Sequence, residues 1–200
     1  HRARMARMHL LWKKPAADSL ERAIKAAREA EATILFLGLS PRLEGEEMNV
    51  PVPGFKGGDR LTLDLPANQE KLLEEVARAA APKPVVLVLL NGSPLAVNRA
   101  VELVPAIVEA WYPGQAAGAA IADVLFGDYN PAGRLPVTFY KSAADLPDFS
   151  DYRMAGRTYR YFKKDPLFPF GYGLSYTNFS YSKLSVPKSL KAGEEFSISV

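Results

Sequence analysis

Two short runs of uninterrupted apolar residues limit most strongly how this chain can fold. Residues 33–37 end at a glycine, and residues 85–90 are followed by a polar turn. Strands covered on both faces have this composition, which is typical of parallel sheets. An amphipathic helix is predicted between them at about residues 67–80, and a third strand at residues 106–110. This alternation predicts an α/β domain, a mostly parallel sheet with helices on both faces.

Further helix signals flank these strands. Asp18 and Glu21 have the spacing of a capping box, which predicts a helix from there to about residue 31, with the Asp18 side chain accepting a backbone N–H. A short helix is expected near residues 94–99. An Ala- and Gly-rich helix is expected over residues 114–126, ended by Gly127 and small enough to lie close against the sheet.

The chain divides into three parts. Residues 1–17 form a basic leader or truncated segment, and residues 18–178 form the α/β domain. Residues 179–200 begin an all-β domain, because residues 181–186 and 196–200 alternate in polarity around a Lys-Ala-Gly turn.

Charge and reactive residues are unevenly distributed. The net charge of +3 comes from the first 14 residues, which carry five basic residues and no acid, whereas the rest holds 20 basic and 22 acidic residues. A nucleic-acid partner is therefore not expected, and no apolar run approaches the roughly 20 residues that span a bilayer. Both histidines, His1 and His9, lie in the leader, and there is no cysteine. Acid–base chemistry in the body must use Asp, Glu, Lys or Tyr.

A long polar loop, residues 40–66, follows the first strand and contains three glutamates. Glu44, Glu46 and Glu47 lie within four positions, where neighbouring carboxylates raise one another's pKa as a general acid requires. The loop should lie at the carboxyl end of the sheet, where ligands bind. Asp59 and Arg60 come near its end and are candidates for ligand contact. The alternatives are a solvated acidic loop and a loop-closing ion pair.

Two later turns carry candidate ligand contacts. Asn91, Gly92 and Ser93 follow the second strand, where Ser93 is either a ligand contact or a helix N-cap. Trp111 and Tyr112 follow the third strand and suit either stacking on a ligand or packing at the strand end.

Eight motifs follow one another along the chain: GLSPRLEGEEM (38–48), GGDR (57–60), LPANQ (65–69), LLNGSP (89–94), WYPGQ (111–115), GDYNPAGRLP (127–136), GRTYRYF (156–162) and FPFGYGLSY (168–176). In this order they resemble glycoside hydrolase family 3, in its bacterial β-xylosidase/β-glucosidase branch. The resemblance covers about residues 31–200.

The resemblance implies a fold and a division of labour. The chain would be most of the family's α/β sandwich domain, followed by the start of a fibronectin-III-like domain. An N-terminal (β/α)8 barrel outside this sequence would supply an aspartate nucleophile. Glu46 occupies the position of the family's general acid/base, with Glu44 as the alternative and Glu47 third. Asp59 and Arg60 would shape the loop and contact substrate, and no metal or cofactor is implied.

The implied reaction is hydrolysis of terminal non-reducing β-D-xylosyl or β-D-glucosyl residues of an oligosaccharide or aryl glycoside. Retaining glycosidases need two carboxylates about 5–5.5 Å apart and neither histidine nor cysteine. Because the nucleophile would lie on the barrel, no activity is expected of this chain by itself. The competing hypothesis is a carbohydrate-binding or scaffold module of the same fold without catalytic activity.

Overall fold

A computed structural model describes residues 18–44 and 48–200 of the chain. Its centre is a three-stranded parallel sheet in which Val85–Leu90 lies between Thr33–Gly38 and Ala106–Glu109. Both apolar runs form strands as predicted, and the α/β class with a parallel sheet is confirmed. In chain order the elements are α1 (Ser19–Glu29), β1 (Thr33–Gly38), β2 (Phe55–Lys56), β3 (Asp59–Arg60), α2 (Ala67–Ala80), β4 (Val85–Leu90), α3 (Asn98–Leu103), β5 (Ala106–Glu109), α4 (Ala117–Phe126) and α5 (Thr158–Tyr161).

One hydrophobic core joins the sheet to α1, α2 and α3. Strand β4 is central because it pairs with both neighbours, and Leu87 in its middle is fully buried. Leu73 and Val76 reach this core from the apolar face of α2, and Ala27 reaches it from α1. Ala100 completes it from α3. The amphipathic periodicity of the sequence therefore predicts the core-facing sides of α1 and α2 correctly.

The end of β1 is fixed by two contacts. Gly38 has φ 139° and lies so close to β4 that a β-carbon there would be 2.0 Å from the Leu90 carbonyl oxygen. The Gln69 side chain of α2 accepts from the Gly38 N–H (2.8 Å) and donates to its carbonyl (2.7 Å). These contacts fix the point where the long loop leaves the sheet.

Three local predictions differ from the structure. Helix α1 begins after Asp18, but the Asp18 side chain makes no capping hydrogen bond; its carbonyl accepts the Arg22 N–H instead. Helix α3 starts later than expected, because Ala96 N–H donates to the Leu63 carbonyl and keeps the preceding segment extended along the loop. Helix α4 ends at Gly127 as predicted, but none of its residues is buried, so the expected close packing on the sheet is not seen among the described residues.

The remaining segments carry little regular structure. Strands β2 and β3 form an antiparallel hairpin within the long loop, with two residues in each strand. Strands of this length are too short to show a periodicity in the sequence. Beyond residue 178, Ser185 and Ser199 form one antiparallel bridge, and Glu194 N–H donates to Lys191 at the predicted turn. A fibronectin-III-like domain, and the domain boundaries, remain predictions. Among the described residues, no helix combines the length and apolar character needed to cross a membrane.

Candidate active site

The loops that leave the three parallel strands meet at one edge of the sheet. Because parallel strands end on the same side, the segments after β1, β4 and β5 converge there. Together with the β2–β3 hairpin they surround a cleft of about 600 Å³, within the size range of small-molecule sites. The cleft is lined by Pro41, Glu44, Gly58, Asp59, Arg60, Gly92, Ser93 and Tyr112.

The Glu44 carboxylate is held by three donors from two other segments. The Gly92 N–H donates to Oε2 over 2.8 Å, and the Tyr112 hydroxyl donates to the same oxygen. The Ser93 hydroxyl donates to Oε1. Both carboxylate oxygens are therefore engaged as acceptors, which fixes the first part of the acidic loop against the turns after β4 and β5.

Arg60 supports this arrangement through Ser93 rather than through a direct ion pair. Its Nη1 donates to Ser93 Oγ (2.7 Å) and to the Pro94 carbonyl (2.8 Å). The Ser93 hydroxyl thus accepts a hydrogen bond from Arg60 and donates one to Glu44. One hydroxyl group therefore connects the guanidinium to the carboxylate. Burial lowers the pKa of Arg60 below its ordinary value, and the nearby carboxylates of Glu44 and Asp64 oppose that shift.

A second carboxylate, Glu109, lies beneath the same turns at the end of β5. Its Oε1 accepts the Trp111 N–H (3.1 Å), and its Oε2 accepts from Asn91 Nδ2 (3.3 Å). Asn91 is fully buried and also donates to the Ser93 carbonyl (3.0 Å). Burial raises the pKa of Glu109 to about 7; the two donors act against this shift, and the charge of Glu44 adds to it.

Tyr112 follows Glu109 by three residues, and its hydroxyl, which donates to Glu44, remains protonated. Burial, followed by the hydrogen bond to Glu44, raises its pKa above the ordinary value for a phenol. Its hydroxyl therefore keeps its proton and donates to Glu44 throughout the physiological pH range. The neighbouring Trp111 has a positive φ of 53° and packs edge-on against Phe139, with ring centroids 5.9 Å apart.

The structure brings together the candidate catalytic and substrate-binding residues that it describes, and Gly92, Ser93 and Tyr112 lie with them. Glu44, Asp59 and Arg60 all line the cleft. Glu46 and Glu47 lie outside the described residues, so the choice among the three glutamates stays a prediction. Within residues 18–44 and 48–200, no group of three or more acidic or histidine side chains is placed to hold a metal ion.

Sequence reasoning did not predict that the turns after β4 and β5 bind Glu44. Ser93 is not a helix N-cap, because α3 begins only at Asn98 and the Ser93 hydroxyl is bound to Glu44. The sequence favours a stacking or packing role for Tyr112, and the structure adds a hydrogen bond from its hydroxyl to Glu44. Glu109 was missed. A charged residue that closes an apolar strand, as in Ala-Ile-Val-Glu, was the available signal for it.

Comparisons with known proteins agree on one family. Residues 3–176 match the family model described as "Glycosyl hydrolase family 3 C-terminal domain". A xylan 1,4-beta-xylosidase from Xylanibacter ruminicola is 57% identical over 149 residues, which are 74% of this chain and 17% of that protein. A periplasmic beta-glucosidase from Salmonella typhimurium is 37% identical over 179 residues, 84% of this chain and 22% of that protein.

Solved structures give the same result. The beta-glucosidase D2-BGL from Chaetomella raphigera superimposes with a TM-score of 0.71 at 37% identity, covering 84% of this chain and 24% of that one. A beta-glucosidase from Kluyveromyces marxianus in complex with glucose gives 0.70 at 32% identity, covering 88% and 22%. The chain thus spans about a fifth of the length of the relatives it matches.

Proposed function

This chain belongs to glycoside hydrolase family 3, within the family's C-terminal domain, and on that premise we propose that it supplies the general acid/base of a retaining β-glycosidase. The substrates are terminal β-D-xylosyl or β-D-glucosyl residues, the two classes named among its relatives. An aspartate on a barrel domain of the full-length protein provides the nucleophile. A carboxylic acid on the loop after β1 protonates the departing oxygen and, as a carboxylate, then activates water.

The observation that carries this proposal is the binding of the Glu44 carboxylate, which lines the cleft, by three donors. A loop that must bring a catalytic group to a neighbouring domain needs a fixed base, and three donors to one carboxylate provide it. The anchor lines the cleft together with Asp59 and Arg60.

The same contacts favour Glu46 over Glu44 as the acid/base. Both oxygens of Glu44 already accept hydrogen bonds within the chain, so its carboxylate would have to break them to reach a glycosidic oxygen. Glu46 follows two residues later in the sequence, and a fixed anchor at Glu44 limits how far it can lie from the cleft. We therefore assign Glu44 to anchoring and Glu46 to proton transfer, with Glu47 the remaining alternative.

Asp59 and Arg60 have different parts in this proposal. Arg60 uses Nη1 to hold Ser93 and Pro94, so its contribution is to keep the anchor in place. Asp59 lines the cleft with an exposed side chain and is the candidate for accepting a substrate hydroxyl.

The test replaces Glu46 with Ala in the full-length protein and compares two aryl glycosides. With phenol as a poor leaving group, kcat/KM should fall by about 10²–10⁴-fold, because proton donation is lost. With dinitrophenol, which leaves without a proton, kcat/KM should fall far less. Added azide should restore turnover of the dinitrophenyl substrate by attacking the glycosyl–enzyme intermediate in place of water, giving a glycosyl azide.

Three further variants make this test decisive. Glu102→Ala, an exposed glutamate on α3, is the matched control and should leave both substrates unaffected. If Glu44→Ala or Glu47→Ala lowers kcat/KM mainly for the phenyl glycoside and Glu46→Ala does not, the acid/base is the glutamate whose replacement has that effect. If none of the three shows it, the loop does not donate the proton. Sugar binding by a full-length protein that turns over neither substrate would favour the non-catalytic module.

A further inference from the structure

Glu109 occupies a position that the proposed reaction does not use directly. It ends β5, directly beneath the two turns that hold Glu44, and it is mostly buried. Its carboxylate makes no described contact with the cleft lining itself. Both of its hydrogen bonds go to the bases of those turns, one to Trp111 and one to Asn91.

Each of these bonds fixes one side of the Glu44 anchor. On the β4 side, Asn91 bridges Glu109 and the Ser93 carbonyl, and the next two residues donate to Glu44. On the β5 side, Glu109 accepts the N–H of Trp111. Trp111 has a positive φ, a strained backbone conformation, and Tyr112 follows it directly in the turn. The Tyr112 hydroxyl then reaches Glu44.

We propose that Glu109 is a positioning residue for the acid/base loop: its single carboxylate ties the turn after β4 to the turn after β5 and so sets the place at which Glu44 is bound. This inference rests on the proposed function. The residue acts through Asn91, Trp111 and Tyr112 and touches no reacting atom.

The burial of Glu109 is consistent with this role. A carboxylate that only filled space at the end of an apolar strand would be replaced at no loss by an amide or apolar residue. Here its two oxygens accept from two separate segments, an arrangement that an amide cannot reproduce because it offers one acceptor oxygen. The charged group that acts on Glu109 from the loop after β1 is Glu44. Arg60 is hydrogen-bonded to Ser93 and not to Glu109.

The test uses the full-length protein with Glu109→Gln, the matched control Glu102→Gln, and Glu46→Gln, each assayed on the phenyl and dinitrophenyl glycosides. We expect Glu109→Gln to lower kcat/KM for the phenyl glycoside about tenfold and for the dinitrophenyl glycoside less than about twofold, since one hydrogen bond to a charged group is lost. Glu102→Gln should leave the ratio of the two values unchanged. Should Glu109→Gln not fold, Glu109→Asp provides the same comparison, because it keeps the charge and shortens the side chain.

The outcomes separate the two hypotheses. Equal losses on both substrates, or no loss on either, would overturn the positioning role of Glu109 while Glu46→Gln still shifts the ratio. A ratio unchanged in Glu46→Gln refutes Glu46 as the acid/base, whatever Glu109→Gln does. If both variants change the ratio of the two kcat/KM values, and Glu46→Gln changes it more, the result supports both the acid/base role of Glu46 and the positioning role of Glu109.

Discussion

At the scale of single residues, the site is organised by side chains that serve two partners at once. Ser93 accepts from Arg60 and donates to Glu44, and Asn91 donates to both Glu109 and the Ser93 carbonyl. Hydrogen bonds that involve a charged group contribute about 1.5–3 kcal/mol each, and within a network their loss is not additive. Removing any one of these groups should therefore disturb the others.

Glu109 also makes the stability of the chain depend on pH. Its pKa is about 7 in the folded state, whereas the ordinary value is 4.5, so the unfolded chain loses this proton first as pH rises. The free energy of unfolding should fall between about pH 4.5 and pH 7, by at most about 3 kcal/mol from this residue. Glu109→Gln removes this contribution, so the difference in Tm between wild type and variant should change between pH 5 and pH 8. Parallel curves for the two proteins, like those expected for Glu102→Gln, would contradict this.

At the scale of elements, the buried parts of the fold follow from the sequence. Strand β4 and helix α2 have the predicted bounds because each has an unambiguous apolar pattern closed by Pro, Gly or Asn. The turns around Ser93 and Tyr112 were not predicted in their actual role, because a side chain that bonds across 49 or 68 positions leaves no local pattern. The β2–β3 hairpin is too short for a period of two to be visible.

The turn after β4 gives an element-scale prediction. A β-carbon on Gly92 would lie 2.8 Å from Tyr112 Cε2 and 3.3 Å from Glu44 Oε2, so Gly92→Ala must push the tyrosine away from the carboxylate. We expect a loss of about 1–3 kcal/mol of unfolding free energy. In the full-length protein we also expect a leaving-group-dependent loss of activity.

Gly118→Ala is the matched control for that substitution. Gly118 lies within α4 with nothing within 4 Å of an added β-carbon. Alanine there should be neutral or stabilising by about 0.5–1 kcal/mol, since glycine is a poor helix former. Urea unfolding of both variants measures the comparison. Equal midpoints would mean that Tyr112 can move without cost.

At the scale of the whole molecule, the packing is uneven along the chain. In the part of the chain that the structure describes, the buried apolar side chains lie between residues 27 and 104, apart from Phe139. From residue 140 onward many aromatic side chains are exposed, among them Phe149 at 95% and Tyr152 at 91%. Large exposed apolar patches typically mark interaction sites. The sequence predicts residues 140–170 only through family motifs, because this segment has little periodicity of its own.

This organisation leads to a prediction for the isolated 200-residue chain. If the nucleophile lies on a barrel domain, the chain alone should not hydrolyse phenyl or dinitrophenyl xylosides or glucosides, although circular dichroism should detect its helices and sheet. The full-length protein, assayed in parallel, should hydrolyse them. Turnover by the isolated chain that is abolished by Glu46→Ala would mean that both carboxylates lie within these residues.

The Gln69 side chain has a further consequence, for how this sheet can be widened. The Leu39 N–H donates to Leu90, so alternate backbone groups of β1 point toward β4 and those of Gly38 point toward the opposite side. The Gln69 side chain hydrogen-bonds to both the N–H and the carbonyl of Gly38, as the backbone of a neighbouring strand would. In the described part of the chain β1 is an edge strand, and a strand added to it would find partners at Ile34 and Phe36 but none at Gly38. Lateral addition is thus blocked at the end of β1 where the cleft opens and directed to the other end.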